Sequence, residues 1–287
     1  PESRLNGLLP LLLPGKVHTL ETSKGIFPFR LLPEKTELHS VGKRRKFEIR
    51  DLENDILYVN LPDFMHGNFA ATVRAALEKK MPSGLILDIR ENIGGMTLLG
   101  AQVAELLISG EFSGCRKRTR IGRGVDLASA SQIILDSPEE QAREIAAGLY
   151  TQEDVEASRR QMAGTYTESY QDRFGREGQQ ALFTGPCAVL TSRRTVSAAE
   201  DFLAMLRSNR RATVIGTPTC GTTGTPMLLR LRCGGGARIC SVGYRLLDGT
   251  EFLGCGIRPD IHMESTPEDI LAGRDLVLER AIDFMRK

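Results

Sequence analysis

Tryptophan is absent from these 287 residues, tyrosine occurs five times and histidine only four. Chemistry that needs an imidazole must therefore draw on His18, His39, His66 or His262. The six cysteines, Cys115, Cys187, Cys220, Cys233, Cys240 and Cys255, include no C-x-x-C pair. With so few histidines to complete a ligand set, a structural zinc site is not expected. The even cysteine count permits disulfides without requiring them, and the redox compartment stays open. Excess charge of one sign is missing too: 38 basic against 36 acidic residues leave a formal charge of +2. No global field would draw the chain onto nucleic acid or an anionic membrane. The one dense basic run, Lys43-Arg44-Arg45-Lys46, reads as a solvated strand edge. Long apolar runs are also lacking. Leu8 to Pro14 is broken by proline, lacks the basic flank of a signal peptide, and falls far short of the about 20 residues a membrane helix needs.

What is present is alternation. Residues 16–50 hold short β-type runs at Val17 to Leu20, Phe27 to Leu32 and Phe47 to Ile49, the pattern of a small β-rich module or its remnant. From Asp51 onward, strands alternate with helices. Ile56 to Val59 precedes a helix whose Phe69, Val73, Ala76 and Leu77 share a face, and Gly84 to Ile89 is a continuous apolar run suited to a strand buried on both sides. Thr97 to Ile108 then repeats at helical spacing. Cys187 to Leu190, a helix with Ala199, Phe202, Leu203 and Leu206 on one face, and Ala212 to Ile215 continue the rhythm. The pattern predicts an α/β fold.

Residues 111 to about 181 are more polar, and Ser137-Pro138-Glu139-Glu140 opens charged helical sequence, so an inserted helical arm is expected there. The domains expected are a module over 1–50 and a core over 51–287. The tail returns to β-type runs at Met227 to Leu231 and Arg238 to Val242, and Thr266-Pro267-Glu268-Asp269 opens a final helix. Gly234-Gly235-Gly236 between those runs lacks the following Lys-Ser/Thr of a nucleotide loop and reads as a wide hairpin turn.

Thr195-Val196-Ser197-Ala198-Ala199-Glu200 puts a serine at a predicted strand-to-helix junction. Serine is a weak nucleophile, and hydrolysis needs it where backbone N–H groups and the helix dipole stabilise an oxyanion. The same residues equally describe a capping box, with Ser197 as the cap and Glu200 three residues on. Local sequence does not separate the two. Gly94-Gly95 follows the Gly84 strand, where glycine lets the backbone approach a substrate or simply turn tightly.

Leu87-Asp88-Ile89-Arg90-Glu91-Asn92-Ile93-Gly94-Gly95 resembles the D-L-R-x-N-P-G-G segment of the tail-specific, or C-terminal processing, serine peptidases, with Ile93 in place of proline. Thr195 to Glu200 resembles their serine motif and the T-A-S-S-A-E motif of the nisin resistance protein branch. Val214 to Gly221 resembles the strand and turn that follow, and Gly254 to Asp260 the G-I-x-P-D ending. The matches keep their order from about residue 56 to 262. The resemblance, which extends to the tricorn core, implies a ClpP/crotonase-like α/β (α+β) core with Ser197 as nucleophile. It also implies an oxyanion hole from the backbone N–H groups of Ala198 and of Gly94 or Gly95, no metal or cofactor, and a peptide or protein substrate. A location outside the cytoplasm or at its envelope belongs to the same set of expectations.

The general base departs from the pattern. Tail-specific peptidases carry a lysine 25 residues after the serine, where this chain has Thr222, whose hydroxyl is no base near neutral pH. In the tricorn-like and nisin resistance branches the base is a histidine in or after a Y-I-x-I-P strand. In Tyr58-Val59-Asn60-Leu61-Pro62 the tricorn position holds Asn60, which leaves His66 in the following loop as the candidate base. Glu200 and Glu251, the latter where tricorn-like relatives keep an acid, are candidates to orient a histidine; a helix cap and a hairpin-edge charge are their plainer roles. Asp88 is expected to be structural. Two further readings stand beside the peptidase. Thr222 and Asn60 fit a relative that binds peptides or hydrophobic ligands without cleaving them, and Cys220 or Cys255 could serve a thiol enzyme, though neither begins a predicted helix.

Overall fold

The computed structural model describes residues 17–22, 25–30, 46–65, 67–119, 138–148, 151–162, 172–230 and 236–286. The chain forms two compact units, Pro1–Arg44 and Arg45–Lys287. In the first, β1 (Val17–Thr22) and β2 (Gly25–Arg30) pair antiparallel, with Val17 opposite Arg30 and Thr22 opposite Gly25.

The second unit begins with β3 (Glu48–Leu52), which the sequence reading had grouped with the N-terminal module. It pairs antiparallel with β4 (Ile56–Asn60) as the edge of the main sheet. Then follow α1 (Phe69–Lys79), β5 (Gly84–Asp88) and α2 (Thr97–Ala104). Within the expected helical arm lie β6 (Cys115–Thr119), α3 (Pro138–Ala146) and α4 (Gln152–Met162). The first of these is a strand and not a helix. Near the base of the arm, Phe112 and Phe174 form an antiparallel bridge with their rings 5.9 Å apart.

β7 (Cys187–Thr191), α5 (Ala198–Ser208) and β8 (Thr213–Gly216) restore the alternation. β9 (Pro226–Arg230) pairs antiparallel with β10 (Gly236–Cys240), and β11 (Val242–Leu246) with β6, giving two small ribbons. Gly234 and Gly235 lie outside the described residues. β12 (Ile261–His262) adds a last parallel strand. The predicted final helix is two, α6 (Pro267–Leu271) and α7 (Leu276–Met285). Gly273 at φ +69° ends the first and the Asp275 side chain, accepting from the Leu278 N–H, caps the second.

The six-stranded sheet runs β12-β8-β7-β5-β4-β3, parallel except for β3. Alternate residues of its central strands enter two separate cores, because successive strand side chains point to opposite faces. Leu57, Val59, Leu85, Leu87, Val189 and Val214 pack with residues of α1, α2 and α5. On the other face Ile56, Tyr58, Ile86, Ala188, Leu190 and Ile215 pack with Val277 and Ala281 of α7. This double burial explains why β5 and β7 read as unbroken apolar runs. It also sends the loops after β5, β7 and β8 to one edge of the sheet, the carboxyl end, where parallel α/β sheets place their sites. Among the described residues no helix is long and apolar enough to cross a membrane.

Candidate active site

Ser197 ends the loop after β7 and directly precedes α5, with φ +57° and ψ −125°. An ordinary N-cap residue has extended backbone angles. Positive φ at a non-glycine residue costs on the order of 1–3 kcal/mol and persists only where its surroundings enforce it. Here the enforcement is visible. The Ser197 N–H is shared between the Thr222 carbonyl at 3.0 Å and Glu200 Oε2 at 3.3 Å, and the Val196 N–H donates to the Asn92 carbonyl at 3.0 Å. Buried Thr195 donates its hydroxyl to the Ile89 carbonyl, which pins the loop to the end of β5.

The glycine loop lies against this turn. A Cβ on Gly94 would sit 2.7 Å from Ser197 Cβ and 2.9 Å from the Ala198 nitrogen; one on Gly95 would meet the Phe64 carbonyl oxygen at 2.2 Å. Both residues also have positive φ, +93° and +139°, so the close approach requires glycine twice over. The two backbone N–H groups differ in what they already do. That of Gly94 donates to Asn92 Oδ1 at 2.9 Å, whereas those of Gly95 and Ala198 donate to no group among the described residues. Of the alternatives Gly94 or Gly95 for the oxyanion hole, Gly95 has the free donor. The other free donor among the described residues here is the Ala198 N–H, at the N-terminus of an 11-residue helix where the partial positive charge is concentrated.

Glu200 is fully buried, and its carboxylate accepts four hydrogen bonds: Thr219 Oγ1 and the Gly221 N–H, both at 2.6 Å, on one oxygen, and the Thr222 and Ser197 N–H groups on the other. A carboxylate offers about four lone-pair sites. None remains for an imidazole, so the expectation that Glu200 orients a histidine gives way to a clamp that fixes the 219–222 loop against the serine turn. Burial pushes its carboxyl above the ordinary range, against the pull of those donors. Thr222 thus stands beside Ser197, with an exposed side chain.

His66 and His39 lie outside the described residues; His18 is in β1 of the first unit, and His262 is exposed in β12. Asn60 is buried and donates to the Lys46 carbonyl at 2.6 Å, tying β4 to the approach of β3. Glu251 is exposed and paired with Arg245 across an isolated bridge. Cys220 and Cys255 are exposed, and burial together with Glu200 raises the Cys220 thiol. Asp88 joins a different clamp. It accepts from Tyr58 Oη at 2.7 Å and from the Arg90 guanidinium, which also grips Asp275 at the cap of α7.

Two residues that hold the serine turn had no role in the sequence reading. Asn92 ties Leu61, Gly94 and Val196 together, and its short amide just before paired glycines is a turn signal in its own right. Thr219 bonds both Glu200 and the Ile257 N–H. Asp201, on the first turn of α5, accepts from the Thr97 and Thr223 hydroxyls.

A parallel sheet whose carboxyl edge holds a serine at positive φ, ahead of a helix and against a glycine loop, defines the class of α/β proteins with a serine-centred site. The model of peptidase family S41 matches residues 55–263, and the chain belongs to that family. It is 25% identical over 217 residues to the C-terminal processing peptidase, chloroplastic, of Tetradesmus obliquus, covering 74% of this chain and 36% of that protein. The chain therefore spans about a third of that relative's length. Among solved structures it resembles a candidate peptidase from Parabacteroides merdae, with TM-score 0.60, 23% identity, and coverage of 83% of this chain and 64% of that one. A lipoprotein from Streptococcus agalactiae shares the fold at TM-score 0.52 and 17% identity, over 84% of this chain and 70% of its own.

Proposed function

We propose that this chain carries the catalytic core of a serine endopeptidase that cleaves peptide bonds through an acyl-enzyme on Ser197. The observation that carries the reading is the backbone of Ser197: φ +57° at the carboxyl edge of the sheet, flanked by the N–H groups of Ala198 and Gly95, which have no partner among the described residues. A mere helix cap also leaves the first N–H of its helix free, but it needs neither the positive φ nor a second free donor on a facing glycine loop. In the proposed reaction the Ser197 Oγ attacks the scissile carbonyl carbon and its proton passes to His66. The carbonyl electron pair moves onto an oxyanion held by the two N–H groups. Collapse breaks the C–N bond as His66 returns the proton to the leaving amine, and water then hydrolyses the ester by the same steps in reverse order. His66 follows Phe64 by two residues, and Phe64 bridges directly to Gly95, which supports it as the base. A peptide or protein substrate and an extracytoplasmic or envelope location belong to the proposal. The latter rests on relatives named as chloroplastic and as a lipoprotein.

A second reading has its own observation. Thr222 is exposed, Asn60 is occupied with Lys46, and among the described residues no side chain is hydrogen-bonded to the Ser197 hydroxyl. A peptide binder without turnover would look the same. Treatment with a fluorophosphonate, followed by mass mapping of the adduct, decides between them. Labelling at Ser197 that is lost in Ser197→Ala and in His66→Ala is the expected result. Loss only in Ser197→Ala keeps the peptidase and removes His66 as its base. A folded wild-type protein that takes no label is the binder.

A further inference from the structure

Asp201 is buried on the first turn of α5, four residues after Ser197, and among the described residues no cation is hydrogen-bonded to it. Its two oxygens take two hydroxyl donors from different parts of the chain. Thr97 Oγ1 reaches Oδ2 at 2.7 Å and Thr223 Oγ1 reaches Oδ1 at 2.9 Å. Thr97 begins α2, two residues beyond Gly95, and Thr223 follows Thr222, whose carbonyl receives the Ser197 N–H. One carboxylate on the serine's own helix therefore holds both the wall that carries one oxyanion donor and the loop that props the serine turn.

We propose that Asp201 is a positioning residue that fixes the separation of the Gly95 and Ala198 N–H groups by tying Thr97 and Thr223 to α5. This inference rests on the serine peptidase reading above. Oxyanion donors act only within about 2.7–3.1 Å of the developing charge, and a misplacement of about 1 Å by a remote change can cost 10²-fold in rate. Glu200 and Asp201 divide the work. The first sets the Ser197 backbone, while the second sets the distance across to the glycine loop.

Among the described residues, the charged and titratable groups around Asp201 are Lys117 and Cys115 from β6, Tyr244 from β11 and Asp172, with Glu200 of its own helix acting on Cys115. Lys117 is ion-paired with Asp172 and lies 5.1 Å from the centre of the Tyr244 ring. Burial raises the Asp201 carboxyl above its ordinary range. Once protonated, one of its oxygens turns from acceptor to donor, so that threonine must reverse its hydroxyl and both bonds lose their charge assistance, which loosens the two-sided grip.

The test measures the second-order rate of fluorophosphonate labelling at Ser197 against pH, alongside the thermal midpoint. The proteins compared are wild type, Asp201→Asn, Thr97→Val, Thr223→Val and the Thr97→Val/Thr223→Val pair. Expected are a fall of about 10-fold to 100-fold in Asp201→Asn, smaller falls in the single threonine variants, and a loss in the pair that approaches that of Asp201→Asn. The wild-type rate should drop as acid titrates Asp201, and that limb should vanish in Asp201→Asn. A purely structural role would lower the midpoints and leave the pH limb in place. If Asp201→Asn folds and labels at the wild-type rate and pH dependence, the inference is wrong while the peptidase reading stands. If Asp201→Asn does not fold, unchanged labelling in the threonine pair overturns it instead. A folded wild-type protein without labelling removes the peptidase reading and this inference with it.

Discussion

Two buried acids, Asp88 at the end of β5 and Glu200 in the first turn of α5, show how differently one sheet edge uses a carboxylate. Asp88 faces a cation: Arg90 holds it with Nε and a terminal nitrogen, and also reaches the cap of α7. Burial alone would raise the Asp88 carboxyl, but the guanidinium and the Tyr58 hydroxyl outweigh it and hold the group below its usual range. Glu200 has only neutral donors, three backbone N–H groups and one hydroxyl, and burial wins, so its carboxyl sits above the usual range. The charge-compensated acid fastens a helix to the sheet. The uncompensated acid fastens backbone around Ser197, the proposed nucleophile.

The largest expected effect comes from breaking the first clamp. Arg90→Met leaves Asp88 buried beside Tyr58 without its cation and frees the α7 cap, which should cost about 3–5 kcal/mol in denaturant unfolding. The two acids should also respond to pH with opposite sign. The folded pKa of Asp88 is depressed, so its stabilisation is present above about pH 4 and is lost as pH falls through the folded value. That of Glu200 is raised, so its contribution is complete below about pH 4.3 and is lost as pH rises through the folded value. Unfolding midpoints of Glu200→Gln and Arg90→Met, each subtracted from wild type across pH 3 to 8, would show the two slopes. Slopes of the same sign would end the comparison.

Next in size is Gly95→Ala. Its Cβ must displace the Phe64 carbonyl, and the strain at φ +139° adds to overpacking worth about 1–3 kcal/mol. Because the same shift moves a proposed oxyanion donor, Ser197 labelling should fall by about 10²-fold, more than its stability loss accounts for. That glycine pair was legible in the sequence, as were β5 and β7, because a strand covered on both faces leaves an unbroken apolar run. The break between α6 and α7 was not, since Gly273 is a single residue in helical-looking sequence. β6 was hidden inside a polar stretch because its partner, β11, lies more than a hundred residues away. Glu200 was read as a cap or a histidine partner for the same reason. Its donors come from Thr219, Gly221 and Thr222, which only the folded sheet edge brings to it.

Glu200→Gln should be smaller again, about 1–3 kcal/mol. An amide must turn its NH2 toward one oxygen's pair of donors, leaving two buried donors facing two others. The labelling rate should fall with it, because one of those donors is the Ser197 N–H that enforces the strained turn. Equal stability and equal labelling in Glu200→Gln would show that Thr222 alone holds the serine.

Glu251→Gln should do least. Its carboxylate is exposed and pairs with Arg245 on the surface of the hairpin, where ion pairs are worth about 0–1 kcal/mol and weaken with salt. Unfolding should therefore shift by less than about 1 kcal/mol, and Ser197 should label as in the wild type. The comparison is sharpest here, because an acid at this position is also what the resemblance to tricorn-like relatives would use to orient a histidine. A labelling rate that dropped at least tenfold in Glu251→Gln while stability held would move Glu251 from the hairpin surface into the reaction. It would also place the base within reach of the β11 ribbon.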